Sequence, residues 1–267
     1  MNVGGNMEMG DSRVTNMVLK MLGPNIRNEI DIYIDNVCSR DFTVMKSINQ
    51  VKNIFNESLD DFLSSLSEEE LLNLRSYTGY NFWNINAVLR NNWRYETNGT
   101  LTHEKVKEYR EICDVVSSVL NKFNIPNIDF ITFRGTTLDS FSSYGISELS
   151  QLEKMKGKFL YEQGFTSTSI LEETSYFNKT LDDGRFCNVG IRYLIPSESN
   201  DGALLIDNNV SYSVSQNEFL LNSGSLSKVI DVMIDENNNT AILTVVLVPK
   251  KVYDIRYNKS INGSKKV

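Results

Sequence analysis

The chain has 267 residues, 40% of them hydrophobic, 10% aromatic and 23% charged, with a net charge of −7 at neutral pH. This length and apolar content build one large domain, or one domain with an extension. The acidic balance, with no strong basic run, argues against tracking nucleic-acid phosphates, and no apolar run reaches the ~20 residues of a membrane-spanning helix.

The opening, MNVGGNMEMGDSRV, has no basic segment leading into an apolar one, so no secretory signal is visible. Its glycine-rich part, VGGNMEMG, follows no strand and does not suit a dinucleotide-cradling turn. Up to about Asn124 apolar residues recur at helical spacing. MVLKMLGPNIRNEIDIYIDNV and MKSINQVKNIFNESLDDFLSSL read as amphipathic helices. Ser67 and Glu70 have capping-box spacing and mark the start of a third helix. YNFWNINAVLRNN reads as a fourth, and LTHEKVKEYREICDVVSSVLNKF as a long one that NIPN stops.

From Ile128 the texture turns β-rich. IDFITFRG, KFLYEQGFTSTSI, RFCNVGIRYLIP, ALLID, EFLLNSGSLSKVIDVMID and AILTVVLVPK lie between Gly, Asn, Asp and Ser breaks. DENNNT is expected to be a hairpin loop. Helices first and strands after, without βαβ alternation, give an α+β fold with an antiparallel or mixed sheet. The locally basic tail, NGSKKV, reads as a solvated end.

Several chemistries are missing. The single histidine, His103, is expected in a first helical turn facing solvent, which leaves no base for a Ser-His-Asp or Cys-His arrangement. Cys38, Cys113 and Cys187 are too scattered for a zinc site or a disulfide framework and are expected in the core, so no metal is expected. No phosphate-binding loop, nucleophile elbow or H-E-x-x-H pair occurs. Carboxylates, arginines and hydroxyls remain.

Three short stretches carry them. In ITFRG, Arg134 falls at a strand end before Gly135. An arginine there can grip a phosphate, or can simply reach into water. In GFTSTSI, strand alternation puts Ser167 and Ser169 on one face and Thr168 on the other; such hydroxyls can fix a carboxylate or merely reflect β-propensity. In SQNEF, Gln216 and Glu218 are two apart, which in a strand turns both to one face. Glu218 stands at the mouth of an apolar strand, where desolvation is costly unless the carboxylate has a partner.

In this order, arginine, Ser-Thr-Ser and Gln-x-Glu resemble the motif set of bacterial mono-ADP-ribosyltransferase toxins, and within them the clostridial Rho-modifying exoenzymes. The resemblance runs from about Leu66 to the end and includes an I-N-x-x-L-R element at Ile85, Asn86, Leu89 and Arg90. It implies N-terminal helices packed on a mixed, mainly antiparallel two-sheet β core, with residues 1–60 as a helical extension and 61–267 as the ADP-ribosyltransferase domain. It also implies cleavage of the nicotinamide–ribose bond of NAD and transfer of ADP-ribose to a host protein. Glu218 would stabilise the oxocarbenium-like ribose, Ser167 would orient Glu218, and Gln216 would hold the acceptor. Arg134, Arg90 and Asn86 would bind the dinucleotide, with Arg185, Gly135 and Thr168 also at the cofactor site.

An amide at position 216 suits an amide acceptor, whereas a carboxylate would suit a guanidinium. An asparagine is therefore the expected acceptor side chain, and the resemblance implies that it lies on a small GTPase of the Rho family. Rival readings are an enzyme with another acceptor such as an actin arginine, an NAD glycohydrolase, or a non-catalytic adaptor of a binary toxin. The resemblance further implies a secreted protein acting in the host cytosol, with or without a separate delivery component. Two positions depart from the family pattern. An aromatic is expected three residues before Arg185, where Asp182 stands, leaving Phe177 or Phe186 as substitutes. Another is expected three before Gln216, where Ser213 stands with Tyr212 beside it.

Overall fold

The computed structural model describes residues 11–253 apart from Asp182 and Ser213. The glycine-rich opening, the basic tail and the two departures at Asp182 and Ser213 therefore lie outside the described residues. Helix α1 (Ser12–Cys38) starts behind Asp11, whose carboxylate accepts from the Arg13 amide at 2.7 Å. It bends at Gly23-Pro24, where Gly23 has φ 74° and ψ 171° and the proline lacks an N–H for the ladder. Its Leu22, Ile30, Ile34 and Val37 bury against Leu194, Leu226, Val246 and Val248.

Helix α2 (Ile48–Ser64) is capped by Ser47, and α3 (Glu68–Ser76) by the expected reciprocal box between Ser67 and Glu70. Three glutamates in the first turn of α3 complement its dipole. The helix expected over 80–92 begins differently. A π-helical turn (Tyr77–Asn81) with Gly79 outside helical geometry precedes α4 (Phe82–Leu89). A short α5 (Trp93–Glu96) and the long α6 (His103–Leu120) follow. His103 is exposed at the start of α6, edge-on to Trp93.

The strands are β1 (Phe130–Thr136), β2 (Phe159–Glu162), β3 (Thr166–Ser169), β4 (Val189–Ile195), β5 (Gly202–Leu205), β6 (Glu218–Leu221), β7 (Ser225–Asp235) and β8 (Thr240–Val248). Among the described residues they run in the order β2-β7-β8-β4-β1-β3-β6-β5. Pairing is antiparallel except between β4 and β8. β1 and β3 meet at Phe133 and Ser169, so the sheet narrows there into two parts, in line with the mixed, mainly antiparallel α+β fold. DENNNT forms the β7–β8 hairpin, with Asn239 at φ 52°.

Phe55 of α2, Phe123 after α6, Phe130 of β1 and Phe219 of β6 stack and edge-pack into the main core. They clamp β1 and β6 from the helical side. Residue 60, the expected end of the extension, falls inside α2, whose Phe55 and Phe62 belong to this core. The helix that packs as a separate layer is α1. Cys113 and Cys187 are buried as expected, but Cys38, at the end of α1, is exposed: the helix has run past the face it covers. No helix among the described residues is long and apolar enough to cross a membrane.

Candidate active site

Arg134, the Ser-Thr-Ser run and Glu218 occupy three strands that are neighbours in the sheet. β3 lies between β1 and β6, with Ser169 opposite Phe133 on one side and opposite Glu218 on the other. Arg134 is the next residue along β1. Ser167 faces Leu220 across the β3–β6 ladder, so its side chain is the same-face diagonal neighbour of Glu218. The Ser167 hydroxyl donates to the Glu218 carboxylate, and Arg134 Nη1 donates to the Ser167 carbonyl at 3.1 Å.

Glu218 is only 8% exposed. Burial pushes its carboxyl above the ordinary range, while the Ser167 hydrogen bond and the Arg134 charge act in the opposite direction without cancelling burial. Arg134 is equally buried, and its Nε has no partner among the described residues. The cluster is therefore a desolvated carboxylate steadied by a hydroxyl and a cation, an arrangement suited to stabilising positive charge that develops beside it.

Helix α4 closes one side. Asn86 Oδ1 accepts from the Phe165 amide at 2.9 Å, and its Nδ2 donates to the Tyr77 hydroxyl at 3.3 Å. Both ends of this amide are engaged, and they lock α4 onto the approach to β3. Arg90, one turn further on, reaches Glu96 at 3.4 Å and remains partly exposed. Tyr77 is fully enclosed; burial and the Glu218 charge raise its hydroxyl, and the charges of Arg90 and Arg134 oppose this. This tyrosine had no sequence signal. It lies nine residues before Asn86, and the π-helical turn between them breaks the helical period.

Three other expected residues are placed as follows. Thr168 points away from Ser167, is 3% exposed, and donates to the Phe219 carbonyl at 2.7 Å, so it ties β3 to β6 and does not face the cluster. Gly135 is needed for packing: a Cβ there would lie 2.0 Å from the Phe177 amide nitrogen. Gln216 is not in a strand. It ends a 3₁₀ turn (Val214–Gln216), and Asn217 at φ 47° separates it from β6, so the i, i+2 argument for a common face does not apply.

Gln216 is held otherwise. Its Nε2 donates to the Tyr176 hydroxyl at 3.2 Å, and its carbonyl lies 2.9 Å from Ser169 Oγ. Tyr176 was also invisible in the sequence, because this contact spans forty residues of chain. Arg185 pairs with Asp183 through Nε and Nη2 at 2.8 and 2.6 Å. Its charge and that of Arg134 are both felt at the Cys187 thiol, which burial pushes up. Of the two candidate rings in this loop, Phe177 packs onto Gly190, whereas Phe186 is 43% exposed.

The family model for "ADP-ribosyltransferase exoenzyme" matches residues 52–250. Comparison with curated proteins gives no match. Among solved structures, C3stau2 from S. aureus with NAD is 17% identical with a TM-score of 0.62, covering 79% of this chain and 100% of that one. The C3 exoenzyme of Clostridium limosum is 21% identical with a TM-score of 0.60, covering 79% and 98%. An ADP-ribosyltransferase from Clostridium botulinum is 19% identical with a TM-score of 0.59, covering 78% and 99%.

Proposed function

The chain belongs to the ADP-ribosyltransferase exoenzyme family, an NAD-dependent mono-ADP-ribosyltransferase, and from that premise we propose that it modifies an asparagine side chain of a small GTPase of the Rho family in a host cell. The observation that carries the catalytic part is the Arg134–Ser167–Glu218 cluster on three adjacent strands. NAD supplies the ADP-ribosyl group, with nicotinamide as the leaving group and positive charge growing on the ribose.

Glu218 answers that charge. In a desolvated site its carboxylate acts more strongly than it would in water, and one such preorganised group is worth about 10²–10³ in rate. Ser167 holds the carboxylate in orientation. Arg134, Arg90 and Arg185 supply cations for the diphosphate, and Phe186 is the exposed ring of its loop available to nicotinamide. Arg134 has a second duty: by holding the Ser167 carbonyl it fixes the strand that aims Ser167. Asn86 acts through α4 as a positioning residue for Arg90.

Gln216 is proposed to receive the acceptor. Its amide, steadied by Tyr176, offers a donor and an acceptor to another amide, and no negative charge to a guanidinium. Incubation of host-cell lysate with labelled NAD, followed by mapping of the modified residue, tests this reading. An asparagine on a small GTPase supports it, and an arginine on actin overturns the acceptor assignment. Gln216→Ala should lose protein labelling by about 10²-fold, as expected when a nucleophile is no longer aligned, while retaining part of the NAD hydrolysis. Full labelling by this variant would remove Gln216 from the acceptor site.

A further inference from the structure

The turn that carries Gln216 is seated on the helix that carries the dinucleotide side of the site. The Val210 carbonyl accepts from Thr78 Oγ1 at 3.2 Å. Tyr212 lays its ring on Gly79, where an added Cβ would stand 3.0 Å from Cδ2 and 3.1 Å from Cε2. The Arg75 guanidinium lies 4.9 Å from the centroid of the same ring. These contacts come from the last turn of α3 and the π-helical turn after it. The same segment then presents Tyr77 to Asn86 and continues into Arg90.

A ring that is 62% exposed is not fixed by burial. Its orientation depends on the bare surface left by a glycine, on the attraction of a cation to its π face, and on the hydroxyl that anchors the backbone two residues earlier. The widened π-helical turn makes this surface, and π-turns of this kind concentrate at functional sites.

We propose that Arg75, Thr78 and Gly79 are positioning residues for the acceptor turn: they hold Tyr212, and through it Gln216, in a fixed relation to Glu218, and so set the efficiency of transfer to protein. This inference rests on the acceptor role proposed for Gln216. It assigns the α3–α4 junction a part in choosing between transfer and hydrolysis.

The test compares Gly79→Ala, Arg75→Leu and Thr78→Val with the wild type in two assays, labelling of the acceptor protein and NAD hydrolysis in its absence. Thermal melts check that each variant is folded. Gly79→Ala and Arg75→Leu should lower kcat/KM for the acceptor about tenfold, the scale of a sub-ångström misplacement. The KM for NAD and the hydrolysis rate should stay within about twofold, and Arg75→Lys, which keeps the cation, should recover most of the transfer. Unchanged transfer in all three variants overturns the proposal. So does a parallel fall in transfer and hydrolysis, which marks a loosened fold. A wild-type enzyme that hydrolyses NAD and labels no protein overturns both this inference and the acceptor reading. A wild type that labels a different residue overturns the acceptor assignment alone, and the variants compared on that residue still decide the inference.

Discussion

Glu218 begins a strand whose four residues are all buried, and its carboxyl is held above the ordinary range chiefly by desolvation. In the unfolded chain a glutamate titrates near ~4.3. Because the folded value is raised, the folded state holds the proton more tightly. The stability this contributes is fully present below the unfolded value and is lost as pH rises through the folded one. At neutral pH the wild type therefore carries the cost of a buried charge. Glu218→Gln keeps the shape and an acceptor for Ser167 but removes that cost. The variant should lose NAD hydrolysis and transfer by about 10²–10³-fold, yet melt above the wild type at pH 7. In a domain of this size each kcal/mol relieved raises the Tm by about 2–4 °C. The gap should close toward pH 4. Calorimetry at the two pH values checks this, and a gap that is the same at both would mean the charge is not the cause.

At the scale of elements, the site is a junction between β1, β3 and β6 with α4 locked alongside. The lock is narrow. A Cβ on Gly164 would stand 2.7 Å from Asn86 Oδ1, the atom that accepts from the Phe165 amide. Gly164→Ala must push Asn86 aside and leave a buried N–H unpaired, a loss of about 1–3 kcal/mol. Since Asn86 fixes α4 and α4 carries Arg90, the KM for NAD should rise as stability falls; a chemical-denaturation curve and an NAD titration measure both. Wild-type values in both would show that Asn86 is not the lock.

The same junction explains what the sequence could tell. Arg134, Ser167 and Glu218 were legible through the order of their motifs, which carries the family resemblance; strand alternation added only that Ser167 and Thr168 take opposite faces, and neighbouring strands bring the three residues together. Alternation failed at Gln216 because Asn217 adopts a left-handed conformation that a reading by strand period does not anticipate. Tyr77 and Tyr176 were hidden for another reason. Tyr176 acts on a residue forty positions along the chain; Tyr77 stands nine before Asn86, which a regular helix would turn to the opposite face, and the π-helical turn between them brings the two together.

At the scale of the molecule, α1 raises the question of whether the N-terminal region is an accessory arm or part of the folded body. Its Leu22, Ile30, Ile34 and Val37 cover Leu194, Leu226, Val246 and Val248 on β4, β7 and β8. It is also tied to the sheet by Lys228–Asp31 at 2.7 Å and by Arg40, just beyond its end, which pairs with Glu198 at 2.8 Å. Burying the four helical side chains is worth roughly 6–12 kcal/mol as an upper estimate, a magnitude similar to the whole stability of an ordinary domain. The entropy of ordering the helix offsets much of this. The uncovered face has no such offset, since its valines and leucines belong to strands that remain folded. A chain lacking residues 1–39 should therefore melt lower, bind a hydrophobic dye and self-associate. The proposed catalytic junction lies under the separate core of α2, Phe123, Phe130 and Phe219, so NAD hydrolysis per soluble folded molecule should stay close to that of the full chain. A truncated protein that is monomeric, dye-negative and equally stable would make α1 an accessory arm after all; one that folds but has lost hydrolysis would show that the outer layer reaches the active site through the sheet.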